Sequence, residues 1–279
     1  MRLTRKMTAC LTMLALMLTA TIAFAVASPP DWGTGVITVK GVAAGKSTTK
    51  NPGLRRAQAH RAAVMDAQRN LAESVRGVKV TANSYMKDME FQSDEVRTGV
   101  DAIISNMTEI GEPQYDQYDV CTVTMQMSLF GGNNSVASVA FLPFKDEPKV
   151  AFPAPTNKAV VNQPSDANQK YTGLIIECLG KGIDPVMSPV IKKTGGEKIY
   201  GHENLDYDKI VMTGMASYAD SVSDQISRSR AGSNPLVIKA ESLDDLNSTP
   251  VVSVENADRI LAANQRDKFL ENCAVVFVK

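Results

Sequence analysis

The run Gly41-Val-Ala-Ala-Gly45-Lys46-Ser47 follows a strand-like stretch and approaches a phosphate-binding loop. Such a loop needs Gly, four residues, then Gly-Lys-Ser/Thr, so that backbone N–H groups close around a phosphate. Here three residues separate the glycines, Lys40 holds the position that requires Gly, and no helix starts until Pro52. The run therefore reads as a strand end and a loop, and no cofactor is expected. His60 and His202 are the two histidines. His60 lies in a helical pattern beside Arg61. His202 lies in the polar loop Tyr200-Gly-His-Glu-Asn-Leu205, where an imidazole is better placed for proton transfer or ligand contact. No Gly-x-Ser-x-Gly elbow accompanies it. No catalytic residue is assigned, and the chain is read as not an enzyme. Tyr200, His202 and Tyr207 are instead candidate contacts for a carbohydrate or peptide.

No metal is expected either. The cysteines and histidines form no C-x-x-C or H-x-x-x-H pair. Glu203, Asp206 and Asp208 lack the alternating ligands and central Gly of a calcium loop. Beyond residue 27 the cysteines are Cys121, Cys178 and Cys273. Cys121 shares a strand face with Val123, Met125, Met127 and Leu129 and should be buried. Cys178 ends Leu174-Ile-Ile-Glu-Cys178, and Cys273 precedes Ala274-Val-Val-Phe-Val278. If these strands are neighbours, a Cys178–Cys273 disulfide is open to the chain; two free thiols are the alternative.

Residues 1–27 read as a secretory signal peptide. Arg2, Arg5 and Lys6 precede an apolar run over 11–24, and Ala23-Phe-Ala25 and Ala25-Val-Ala27 offer small-residue cleavage sites. The run falls short of the ~20 residues that span a bilayer, and no transmembrane helix is expected in the mature chain. Cys10 precedes the apolar run, whereas a lipid-bearing cysteine would follow it. Loss of three basic residues leaves 27 basic against 30 acidic, a net charge of −3. That balance argues against nucleic-acid binding. The expected address is the periplasm or the exterior.

The elements that must position these residues follow from periodicity. A strand covers 36–41, and a helix covers 54–75 with Ala57, Ala63, Val64, Ala67, Leu71, Ala72 and Val75 inward and Asp66 among residues mostly facing water. Gly77 closes that helix ahead of a strand over 78–82. Ser93 caps a helix carrying Val96, Val100, Ile103 and Ile104. Strands follow over 107–110 and 119–129, with another over 135–142. Residues 144–170 form a Pro-rich linker. Beyond it lie strands over 174–178 and 236–240, a hairpin turning at Gly195-Gly196, a helix capped by Ser253 and a closing strand over 274–278. The stretch 210–226 is ambiguous and fits a strand over 211–218 running into a short helix. The expected class is α+β: two small domains over 33–143 and 171–279, each a mostly antiparallel sheet with packed helices.

Three segments carry a family likeness: Val36-Ile-Thr-Val-Lys-Gly-Val42, Arg55-Arg-Ala-Gln-Ala-His-Arg-Ala-Ala-Val-Met-Asp-Ala-Gln-Arg-Asn-Leu-Ala72, and Val75-Arg-Gly-Val-Lys-Val80. Over residues 33–143 the chain resembles the LPP20-type envelope proteins, which include flagellar outer-membrane-disk and flagellar assembly components. The resemblance implies a small α+β domain in the periplasm or under the outer membrane, with a structural or assembly role and no established catalysis. It also implies protein partners of the envelope, self-association or flagellar components among them. A periplasmic binding module for a carbohydrate or peptide is the alternative.

Overall fold

The computed structural model describes residues 28–156 and 169–279. The expected signal peptide with Cys10, and the middle of the proline-rich stretch, lie outside the described residues. In the first half the elements are β1 (Val36–Ala44), α1 (Pro52–Arg76), β2 (Lys79–Thr81), β3 (Ser84–Tyr85), α2 (Met86–Gln92), α3 (Asp94–Ser105), β4 (Thr108–Glu109), β5 (Gln114–Tyr115), β6 (Val120–Ser128) and α4 (Val136–Ala140). In the second half they are β7 (Gly173–Glu177), β8 (Ile191–Lys193), β9 (Lys198–Tyr200), α5 (Tyr207–Thr213), β10 (Ser217–Ala219), α6 (Gln225–Ala231), β11 (Pro235–Lys239), β12 (Ser242–Asp244), β13 (Thr249–Val252), α7 (Val254–Asp267) and β14 (Val275–Val278).

β1 and β6 pair antiparallel along their whole length, and α1 lies across them. Asn51 starts the helix by accepting the Leu54 N–H, with Pro52 in the first turn. Ala59, Ala63, Ala67, Leu71 and Val75 are buried at steps of four, whereas the expected Ala57 is exposed. The small residues are dictated by contact with β1. A Cβ on Gly41 would lie 2.0 Å from the Ala63 carbonyl oxygen, and one on Gly45 would lie 2.2 Å from that of Arg55. Eight helical residues rise about 12 Å and four strand residues about 13 Å. Both glycines therefore meet the helix at matching intervals, and the apparent phosphate loop is a pair of packing glycines.

α1 also closes the free edge of β1. Asn70 donates from Nδ2 to the Lys40 carbonyl at 2.7 Å, and Asp66 accepts the Val42 N–H at 3.0 Å. On the other side of β6 the short β4 and β5 complete the sheet. The strand expected over 135–142 is instead α4 and a 3-10 turn (Leu142–Phe144). Gly131 and Gly132, with φ of 121° and 100°, turn the chain after β6. Val136, Ala137, Val139 and Ala140 are all buried, which a two-residue alternation does not allow.

The class is α+β, with mostly antiparallel sheets and packed helices over the chain as a whole. The four-stranded sheet β10-β14-β7-β11 is the exception: every pairing in it is parallel. The antiparallel expectation for the second unit is corrected there. Both faces of its central strands, β7 and β14, are covered, as parallel sheets require. Leu174, Ile176, Val275 and Phe277 enter the main core, while Ile175, Val276 and Val278 pack with Ala231 of α6. The uninterrupted apolar runs at 174–176 and 275–278 express that double burial. Hairpin β8-β9 turns at Gly195-Gly196, and α7 starts at Ser253, whose side chain accepts the Asn256 N–H.

One apolar core runs from Ile37 through Phe277, so the two sequence units are packed as one body. The Lys79 and Val80 carbonyls of β2 accept the N–H groups of Met187 and Ser188. Buried Lys79 pairs with Asp184 at 2.6 Å. Trp32 meets Tyr218 edge-on, with ring centroids 5.7 Å apart. Residues 145–156, read from the sequence as the start of a linker, run along the second unit. There Phe152 stacks on Tyr200 and the Thr156 N–H donates to Asp258 at 2.7 Å.

Two variants test these constraints. Gly41→Ala should lose about 1–3 kcal/mol of stability through overpacking, while Lys46→Ala should stay within about 0.5 kcal/mol of wild type. Denaturant unfolding followed by the single tryptophan, Trp32, measures both. Asp119 is held below the usual carboxylate range by hydrogen bonds and charge from Arg55 and Arg56. A lowered folded pKa stabilises above the unfolded value near ~3.9 and is lost as pH falls through the folded value. The stability difference between wild type and Asp119→Asn should therefore hold through neutral pH and vanish in acid.

Candidate functional site

His202 follows β9 in a 3-10 turn (His202–Asn204). Phe144 stacks on its ring, with centroids 3.9 Å apart and planes 18° from parallel. Glu147 Oε2 lies 3.0 Å from Nε2, and Glu203 Oε2 lies 3.6 Å from Nδ1. Ser188 Oγ is 3.5 Å from Nδ1. Serine, histidine and glutamate in contact have the composition of a nucleophilic relay. Here the serine is 4% exposed, its contact is at the outer limit of a hydrogen bond, and both ring nitrogens face carboxylates. The arrangement holds residues 144–150 against the second unit. The Val150 N–H reinforces it by donating to the Glu203 carbonyl at 2.7 Å. Burial pushes the Glu203 carboxyl upward, but its own backbone N–H, Lys198 and His202 outweigh this and hold it below its ordinary value.

His202 and Tyr207 share the wall of a cavity of about 210 Å³ with Phe144, Glu147, Glu203 and Ile210. Burial, with Asp208 and Glu95, raises the Tyr207 hydroxyl pKa. Asp206 is committed to capping α5, where it accepts the Lys209 N–H. No cluster of three or more potential metal ligands occurs among the described residues. Tyr200 does not join this site. It is fully buried and donates its hydroxyl hydrogen to the Met215 carbonyl at 2.6 Å, which corrects its reading as a surface contact.

The expected sulfur pairing is also corrected. β7 and β14 are neighbours, but they run parallel, with Leu174 beside Val275 and Glu177 beside Val278. The Cys178 N–H donates to the Val278 carbonyl, placing that cysteine at one end of the pair, while Cys273 precedes the other end. Six residues separate the two levels by about 20 Å, beyond the ~7 Å that a disulfide spans between Cα atoms. Cys121, Cys178 and Cys273 are free and buried. Burial pushes the Cys178 thiol up to about 12 and raises that of Cys273 against the pull of Arg230 and Lys209. Neither is a reactive thiolate.

From the sequence, the segment 221–230 with Arg228 and Arg230 reads as a polar surface, and the structure corrects this for Arg230. Its guanidinium donates to the carbonyls of Cys273, Thr213 and Gly214, tying the end of α5 to the start of β14. Burial lowers its pKa, partly offset by Tyr200 and Cys273. Contacts this far apart in sequence leave no local signal.

The sheet edges differ in accessibility. β1 is blocked by Asp66 and Asn70, but β11 has a strand partner, β7, on one side only among the described residues. α6 covers β10, β14 and β7, and Val237 of β11 remains 39% exposed. Beside it opens a cavity of about 520 Å³ lined by Ile175, Val222 and Pro235.

Residues 173–279 match the family defined by the second domain of Treponema pallidum Tp0624. The match begins at the first residue of β7 and takes in the whole parallel sheet, including β11. No curated protein matches this chain. No helix among the described residues is long and apolar enough to cross a membrane. Alkylation of the denatured, unreduced protein should label both Cys178 and Cys273. Mass spectrometry of the peptides checks this, and a Cys178–Cys273 crosslink would contradict the parallel register.

Proposed function

We propose that this chain is a non-enzymatic cell-envelope protein with a structural or assembly role, exported to the periplasm or beyond. It works through protein–protein contact. The observation that carries this reading is the β11 edge, an apolar strand with one open side beside an uncovered patch of its sheet. Open edges pair with strands of other chains, and natural proteins block those that must stay free. In this chain the β1 edge is blocked and the β11 edge carries Pro235 and Lys239 at its ends, so any partner strand would seat on Leu236 to Ile238. The resemblance of residues 33–143 to LPP20-type proteins supports a place at the outer membrane and an association with the flagellum. In the matched family the second segment also belongs to a protein with more than one domain.

Native cross-linking and cell fractionation test the proposal. The wild type should form oligomers or co-fractionate with outer-membrane or flagellar material, and Val237→Lys should lose that association while melting normally. A wild type that stays monomeric at high concentration, with normal motility in a deletion strain, would overturn it.

A further inference from the structure

A third cavity, of about 470 Å³, lies between residues 149–153 and the C-terminal end of α7. Its volume is within the ~300–1,000 Å³ of small-molecule sites. Three polar side chains on its wall have hydrogen-bonding capacity to spare. Asn264 is 2% exposed; its Oδ1 accepts the Leu270 N–H at 2.8 Å, which fixes the amide and leaves Nδ2 without a partner among the described residues. Asn204 is 5% exposed; its Nδ2 donates to the Val150 carbonyl at 3.3 Å, and its Oδ1 is left open in the same way. Glu271 pairs with Lys268 through Oε1 at 3.4 Å, and its Oε2 is buried with no partner. Buried polar atoms are rarely left unsatisfied; Glu271 Oε2 is one, and the spare donor of Asn264 and spare acceptor of Asn204 line the same space.

We propose that this cavity binds a short carbohydrate, a mono- or disaccharide. The wall offers two acceptors and one amide donor, and a sugar hydroxyl answers either kind because it both donates and accepts. Val150, Phe152, Pro153 and Leu261 supply the apolar surface against which the C–H face of a sugar ring packs. A peptide is a poorer fit. Peptides are taken up by strand addition, helix grooves or polyproline channels, and no lining residue of this cavity belongs to a strand. The site is separate from the β11 edge and independent of the assembly reading.

Isothermal titration of the full chain with cellobiose, N,N′-diacetylchitobiose and glucuronic acid, with trialanine as the peptide control, tests the proposal. At least one sugar should bind saturably at one site, and trialanine should not. Glu271→Gln turns an acceptor into a donor, and Asn264→Asp keeps the bond to Leu270 while removing the donor. Each should weaken binding about tenfold or more, a change of ~1.4 kcal/mol, and Glu271→Gln should keep the wild-type melting temperature. Val237→Lys should leave sugar binding unchanged, so failure of one proposal is distinguishable from failure of the other. Absence of saturable sugar binding to the wild type, stronger binding of trialanine, or sugar binding indifferent to both cavity variants would overturn the inference.

Discussion

The approach of α1 to β1 is the constraint on which the rest of the fold depends. With backbone against backbone at Gly41 and Gly45, the helix has one position along the strand and little freedom to slide. That fixes where it ends, at Arg76, and Gly77 continues by donating to the Glu73 carbonyl. β2 follows at once, and its Lys79 and Val80 carbonyls receive the second unit through Met187 and Ser188. A spacing set by two glycines is thereby passed, element by element, to the parallel sheet. The cost of disturbing it is high because packed interiors relax little around an inserted atom.

Much of this was legible in the sequence where signals were local. The cap at Ser93, the start of α1 at Pro52, the turn at Gly195-Gly196 and the cap at Ser253 each combine a stop or start residue with a periodic run. Direction was less legible. The runs at 174–176 and 275–278 signalled buried strands, and their lack of alternation was already a mark of parallel pairing. Reading them as antiparallel carried the sulfur pairing with it. The region over 135–142 failed because a short apolar run fits a strand or a helix equally well. The stretch over 210–226 resolved through Asp206 at the start of α5 and Gly214, at a φ of 72°, at its end.

The candidate site was legible only in part. His202 and Tyr207 do share a cavity, but the groups that define His202, namely Phe144 and Glu147, come from more than fifty residues earlier in the chain. Asp66 looked like a solvated helix residue and in fact satisfies a strand N–H. Some polar side chains here only complete backbone bonds, such as Asp66, Asn70 and Arg230, while Asn204 and Asn264 do so with capacity to spare and Glu271 keeps a buried oxygen unpaired. The first group secures the architecture, and the second is where a partner molecule has something to gain.

The place of β14 in its sheet has a consequence for biosynthesis. Formed from residues 275–278, it lies between β10 and β7, so the middle of the parallel sheet is made after its other three strands. Until then β7 lacks its central neighbour, and Trp32 faces a Tyr218 whose sheet is incomplete. Domains ordinarily mature from the N-terminus as they are synthesised. The parallel sheet cannot close in that order, because its centre is made after both of its flanks.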